Sequence, residues 1–379
     1  MKFNRLSFFA LLLSLTALLS ACGAPPATNW PGMATDGEVI YLASGSHVYS
    51  VQVRDGAEVK ATVSGAVIPL RFPVEPDSKM SFYATPAITS NGMLIIGSAA
   101  ASDHALYAAN IATSSIQWSL ENKTPWLGGA IILNDIIYAP AGDGSLYARK
   151  MDGSEYWTRK FSDHALWTTP TTDGKNIFLV TLDHMLYCIN PITGDTLWKK
   201  ELDNGVIGTP ALLNEVLYVG TLSGNLYAYR LDGLPAWEQN PVKLTGSIWG
   251  TPGVDAQSNL LYVGTVDGIK GNLYAVNAEN GEVTLLKATS SEEGSIVAGP
   301  LVTADEIIFV TDQGRVQALD KTGNPTWWAT FQKNKIYTTP MLVGDLVVVA
   351  PMGSQFLLAA FVPNGTGEKL PKWTFTPSK

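Results

Sequence analysis

"DHMLYCINPITGDTLW", Asp183–Trp198, reads as a β-strand, a turn around Gly194 and a second strand ending in Trp198. The two apolar runs carry aromatic and β-branched residues, which fit a pleated, half-buried surface. Between them stand Asn, Pro, Thr, Gly and Asp, residues that set or tolerate turn dihedrals. Working outward from this stretch completes a unit. "ALWTTPTT" (Ala165–Thr172) supplies an inner strand and Asp173-Gly174 a turn. "NIFLVT" (Asn176–Thr181) is a second strand, "MLYCIN" (Met185–Asn190) a third, and "TLWKKEL" (Thr196–Leu202) an outer fourth.

The unit recurs along the chain. Thr85-Pro86, Thr169-Pro170, Thr209-Pro210, Thr251-Pro252, Gly299-Pro300 and Thr339-Pro340 each precede a short apolar run. "AIILNDIIYAPAGDGSLYA" from Ala130 aligns with "PALLNEVLYVGTLSGNLYA" from Pro210, and "TDGEVIYLASGSHVYSV" from Thr35 with "TDGKNIFLVTLDHMLYCI" from Thr172. Markers therefore fall at 33, 86, 130, 170, 210, 252, 300 and 340. A period of about 40 residues with no helical periodicity is the pattern of a β-propeller with one four-stranded blade per repeat. The expectation is an all-β, eight-bladed β-propeller over residues 30–379, each blade four antiparallel strands.

Composition agrees. The 379 residues include 35 Gly and 22 Pro but only 15% charged residues, so many turns are expected and neither disorder nor a coiled coil fits. The formal net charge of −8 argues against a nucleic-acid partner.

Residues 1–21 read as a signal segment: Lys2 and Arg5 lead into an apolar run from Leu6 to Leu19, shorter than the ~20 residues of a spanning helix. It ends in "LSAC", small residues before Cys22, the pattern of a lipobox. Cys22 is therefore expected to carry a lipid, and 22–29, containing "GAPPAT", to be a short tether. The one other cysteine, Cys188, holds a place that other repeats give to Ala148, Ala228 and Ala275, and is expected to be buried.

Trp118, Trp157, Trp198, Trp237, Trp327 and Trp373 recur in the outer strands, with Val59 and Leu285 at the corresponding places of the first and sixth units. A Trp buries roughly 150–250 Å², so these are expected to be wedges between blades.

At "LYCINPITGDTLW", "LYAANIATSSIQW", "LYARKMDGSEYW" and "LYAVNAENGEVTLL" the chain resembles the pyrroloquinoline-quinone (PQQ) type of propeller repeat. Two families share it. One is the quinoprotein dehydrogenases, which hold PQQ and Ca²⁺ near the axis. The other is the BamB-type lipoproteins, non-enzymatic propellers that assist outer-membrane protein assembly. A lipobox followed directly by eight blades resembles the second. The resemblance implies a lipid-anchored, extracytoplasmic, monomeric scaffold with a protein partner in the cell envelope and no enzymatic activity. The alternatives are a PQQ-dependent oxidoreductase and a cell-wall glycan binder.

Residues for chemistry are few. His47, His104, His164 and His184 form no zinc-spaced pair, and no GxSxG, Walker or GxGxxG unit appears. Asp103, Asp143, Asp183, Asp267 and Asp312 follow the second strands one per blade, as turn residues do, rather than as the six or more convergent oxygens of a Ca²⁺ site. No metal, Ca²⁺ or PQQ is expected, and no catalytic residue. One pattern points to binding. Three residues before the markers, at the start of the inner strands, stand Trp30, Tyr83, Leu127 with Trp126 beside it, Trp167, Ile207, Trp249, Val297 and Tyr337, so that Trp30, Tyr83, Trp126, Trp167, Trp249 and Tyr337 are the candidates. Aromatics at a channel mouth suit a protein side chain, a peptide or a sugar; packing between inner strands is the other reading. Three irregular loops, Ser64–Met80, Val266–Asn272 and Val362–Pro371, are further candidates, because insertions in repeat folds map to loops.

Overall fold

A computed structural model describes residues 30–378, apart from 64–65, 75–78, 101, 333 and 354. The signal segment, Cys22 and the tether lie outside the described residues, as do parts of the first insertion.

Apolar runs and turns arrange as expected into eight consecutive sheets, each a blade of an all-β propeller with its strands in chain order from axis to rim. The fourth blade comprises Thr171–Thr172, Ile177–Val180, Met185–Ile189 and Thr196–Glu201. All four residues of Ile177–Val180 are buried, because a mid-blade strand has a neighbouring blade on each face. That is why these strands read as continuous apolar runs, while the outer strand alternates in exposure.

The inner strand is much shorter than Ala165–Thr172. The approach of neighbouring inner segments near the axis explains the difference. A Cβ on Gly128 would lie 2.7 Å from Thr168 O of the next blade, and one on Gly250 would lie 2.3 Å from Gly299 N. Only glycine allows such backbone contact, and the marker prolines have no N–H to give to a ladder.

The rim is held by a repeated lock. Trp118, Trp157, Trp198 and Trp237 each donate their indole N–H to a carbonyl of the next blade: Met151 at 2.9 Å, Pro191 at 2.8 Å, Leu231 at 2.8 Å and Ala278 at 2.9 Å. Trp373 does the same to Val53 at 2.9 Å, joining the eighth blade to the first. The ring of each Trp lies against the turn glycine of that neighbour, as Trp157 does against Gly194, whose φ is +75°.

Three units depart from the pattern. In the sixth, Leu285 is 53% exposed and Leu286 instead faces Gly323 of the next blade; a register shift in the outer strand displaces the wedge by one residue. In the first, Val59 does not lie in the outer strand. The insertion adds a hairpin, Lys60–Val63 with Ala66–Pro69, and the outer strand becomes Arg71–Phe72, with Phe72 buried. In the seventh, Trp327 donates to Glu306 of its own blade at 2.9 Å. The last insertion supplies a fifth strand there, Gly367–Glu368, parallel to Trp327–Trp328.

Among the described residues, the strands of the first and the eighth blade each come from that blade's own repeat. Closure between blades eight and one rests on the Trp373 lock, a Thr338 hydroxyl donating to Pro31 O at 2.7 Å, and an apolar cluster including Met33, Ile40, Val348 and Phe375. Behind it Arg71 pairs with Glu58 at 2.8 Å, and the Ser378 hydroxyl donates to Glu58 at 2.7 Å.

Candidate binding site at the channel mouth

Chain direction assigns the two faces. Every inner strand starts at one face, and the turn between second and third strands returns there. The bridges Ser247↔Val266 and Gly45↔Phe82 join those two features directly. This is the mouth face. The other two turns of each blade lie on the far face.

Trp30, Trp249 and Tyr337 meet at the mouth. The Trp30 ring lies 5.6 Å from Tyr337 and 6.4 Å from Trp249, both in tilted packing. These residues belong to blades one, eight and six. In the seventh blade, which lies between those of Tyr337 and Trp249, the equivalent residue is the buried aliphatic Val297. Trp30 stays 42% exposed, so the trio is a surface and not a core. Lys335 Nζ stands 5.8 Å from the Tyr337 ring centre, a cation on the face of an aromatic. Sequence reading missed Lys335, since no counterpart recurs in other blades. Its signal was its place two residues before Tyr337.

The remaining candidates separate. Tyr83 and Trp167 are at the mouth, in blades two and four, but outside the trio; Trp167 is 51% exposed. Trp126 does not reach the mouth. It is 1% exposed, packs edge-on to Tyr147 at 5.0 Å and donates to His104 O at 3.1 Å. A Cβ on Gly97 would strike its Cβ at 2.2 Å. The residue one place earlier than the marker pattern points between blades, because successive residues of an extended segment face opposite ways.

The turn carboxylates on this face have local roles. Tyr107 donates to Asp103 at 2.9 Å and Tyr147 to Asp143 at 2.6 Å, while Asp312 accepts from Ser295 N at 2.7 Å. Burial works to raise the Asp203 carboxyl, but donors outweigh it, among them Ser223, Asn225 at 2.7 Å and Tyr227 at 3.2 Å, and hold it below the ordinary value. Among the described residues no three His, Cys, Asp or Glu side chains gather as a metal site would require. Cys188 is 1% exposed, and burial pushes its thiol up to about 12, far from a reactive thiolate.

Comparisons with known proteins follow the fold and extend it. In sequence, the chain is 27% identical over 251 residues to the outer membrane protein assembly factor BamB of Shewanella oneidensis, covering 59% of this chain and 58% of that protein. It is 24% identical over 312 residues to a quinoprotein ethanol dehydrogenase of Pseudomonas aeruginosa, covering 71% of this chain and 47% of that one. The match thus spans only about half the length of these relatives. In structure, BamB from Moraxella catarrhalis superposes with a TM-score of 0.66 over 84% of this chain and 90% of that chain, at 16% identity, a likeness of fold. A family model described as outer membrane protein assembly factor BamB matches residues 142–349 and 287–369, more than half of the chain. Eight blades of this repeat and that match together mean that the chain belongs to the BamB family.

Proposed function

We propose that the protein is a non-enzymatic, lipid-anchored scaffold of the cell envelope, acting in outer-membrane protein assembly by gripping a protein partner at the channel mouth. The observation that carries this reading is the cluster of exposed Trp30 with half-buried Trp249 and Tyr337 beside Lys335. Exposed Trp and Tyr on a rigid frame commonly supply most of an interface's energy. The family membership and the names of the relatives support the assembly role.

The quinoprotein relative raises PQQ and Ca²⁺. The residues present do not fit them. The mouth trio is aromatic, and the nearby turn carboxylates are held by tyrosines and backbone amides rather than gathered. We therefore propose that neither is bound.

Capture of the partner from native membranes by the tagged protein tests the scaffold. Changing Trp30→Ala and Trp249→Ala together is expected to abolish capture, since such anchors contribute about 2 kcal/mol or more each. Undiminished capture by a folded double variant would move the site to the insertion loops. Micromolar binding of PQQ with Ca²⁺ in a calorimetric titration would overturn the non-enzymatic reading.

A further inference from the structure

We infer that Asn364 is a site of spontaneous deamidation, and that its conversion to isoaspartate releases a strap from the rim of the seventh blade. The strap is the last irregular loop, residues 362–371, and it is clamped in three ways. The Asn364 N–H donates to Oε2 of the buried Glu306 at 3.0 Å. Gly367–Glu368 pairs with Trp327–Trp328, and Lys369 N donates to Trp328 O at 2.7 Å. The Lys369 ammonium stands 4.9 Å from the centre of the Trp327 ring and donates to Val362 O at 2.6 Å and to Asn364 O.

Deamidation begins when the backbone nitrogen of the next residue attacks the asparagine side-chain amide carbon. That nitrogen must give up its proton, must be free of a hydrogen bond and must meet little bulk, so Asn-Gly is the favoured pair. The chain has four: Asn91-Gly92, Asn204-Gly205, Asn280-Gly281 and Asn364-Gly365. The fold protects three of them. Gly92 N donates to Thr89 O at 3.1 Å and Gly281 N to Asn277 O at 2.9 Å. Gly205 N donates to Asn204 Oδ1 at 2.8 Å, so its N–H points at the amide oxygen while the carbon goes unattacked. The Asn91 and Asn280 side chains are themselves held, by the Thr89 hydroxyl at 2.5 Å and by Glu282 N at 2.9 Å. At Asn364-Gly365 both residues are exposed, and among the described residues neither the Gly365 N–H nor the Asn364 side chain has a hydrogen-bond partner. Asn364 holds a φ of +61°, a region asparagine tolerates. Lys369 adds a chemical push. Its ammonium donates to Asn364 O, the carbonyl of the same peptide whose nitrogen must ionise. A cation there stabilises the amide anion, as charge-assisted hydrogen bonds do.

The steps balance with water as the only co-reactant. The bond from Gly365 N to Asn364 Cγ forms, the Cγ–Nδ2 bond breaks, and the Gly365 proton leaves with the side-chain nitrogen as ammonia. Water then opens the cyclic imide. Cleavage at the former main-chain carbonyl routes the peptide link through the side chain and leaves a new carboxylate. The product, isoaspartate, adds one carbon to the main chain between the Glu306 anchor and the Gly367–Glu368 pairing. It also sets a negative charge close to the Glu306 carboxylate, which like charges oppose. Both changes work against the clamp.

Ageing the purified protein tests this. Fresh samples and samples kept for weeks at mildly alkaline pH are digested with pepsin in acid, which adds no deamidation. Mass spectrometry with electron-transfer fragmentation then separates isoaspartate from aspartate at each position. Asn364 is expected to convert at least about tenfold faster than Asn91, Asn204 and Asn280, since a hydrogen bond that must break first slows a step by about that factor. The same chain aged in urea should lose this ranking, because only the fold separates four identical pairs. Conversion at Asn364 no faster than at the other three in the folded protein overturns the site, and a ranking that persists in urea overturns the part given to the fold. Hydrogen exchange reads the strap. The amides of residues 366–370 should exchange severalfold faster in the aged protein. Asn364→Gly, which keeps the positive φ and has no side-chain amide, should show no change with age. Unchanged exchange in a converted sample overturns the release.

Discussion

Tryptophan serves at two places in this molecule, the rim and the mouth, under opposite physical conditions. Rim residues such as Trp157 and Trp237 are at most 5% exposed, satisfy their indole N–H on the next blade and rest on a turn glycine. In both cases a Tyr of the same blade, Tyr138 or Tyr218, donates to the same carbonyl, at 2.9 Å. At the mouth, Trp30 and Trp249 touch across blades that are not neighbours, and Trp30 is 42% exposed. The rim set repeats because every blade junction poses the same packing problem. The mouth trio holds a repeat position too, three residues before the markers at 33, 252 and 340, but its contacts do not repeat, because a single axis offers only one site.

That contrast is tested first at the rim. Trp157→Ala is expected to destabilise the fold by about 3–5 kcal/mol, the range for deleting a buried aromatic, read as a shift in urea midpoint of the form lacking residues 1–21. A loss under about 0.5 kcal/mol, typical of ordinary surface changes, would erase the distinction. Gly194→Ala probes the same lock from the other blade. Its φ of +75° and a Cβ only 2.8 Å from the Arg159 side chain and 2.9 Å from Trp157 make it unfavourable twice over. A cost of about 1–3 kcal/mol is expected, and an unchanged midpoint would show that the ring does not bear on the turn. The smallest effect belongs to the mouth. Trp249→Ala should change the urea midpoint by no more than about 1 kcal/mol while weakening partner capture. A loss as large as at Trp157 would make Trp249 a packing residue and break the contrast.

The places where sequence and structure parted are instructive. A period of about 40 residues is enough to read eight blades, and the strand limits of the fourth blade held to within a residue or two, except at the inner strand. That strand shortened because backbone contacts such as Gly250 against Gly299 replace side-chain ladders near the axis. Leu285 was misplaced by a one-residue register shift, which turns a side chain to the other face of a strand. Trp126 was misplaced for the same reason, one residue from the marker pattern. The first insertion hid the true outer strand, Arg71–Phe72, behind a hairpin.

The sequence by itself determined the repeat, the number of blades and which tryptophans belong to the rim, because those follow from local strand and turn chemistry repeated at one spacing. It also named aromatics near the axis without separating them. Only the tertiary structure decided that Trp30, Trp249 and Tyr337 meet, that Lys335 joins them and that Trp126 does not. Those contacts join residues as far apart as 30 and 337 in the chain, and, for Trp30 with Trp249, blades that do not pack side by side. No local pattern carries them: they arise when the ring closes and brings the first and last blades to one axis.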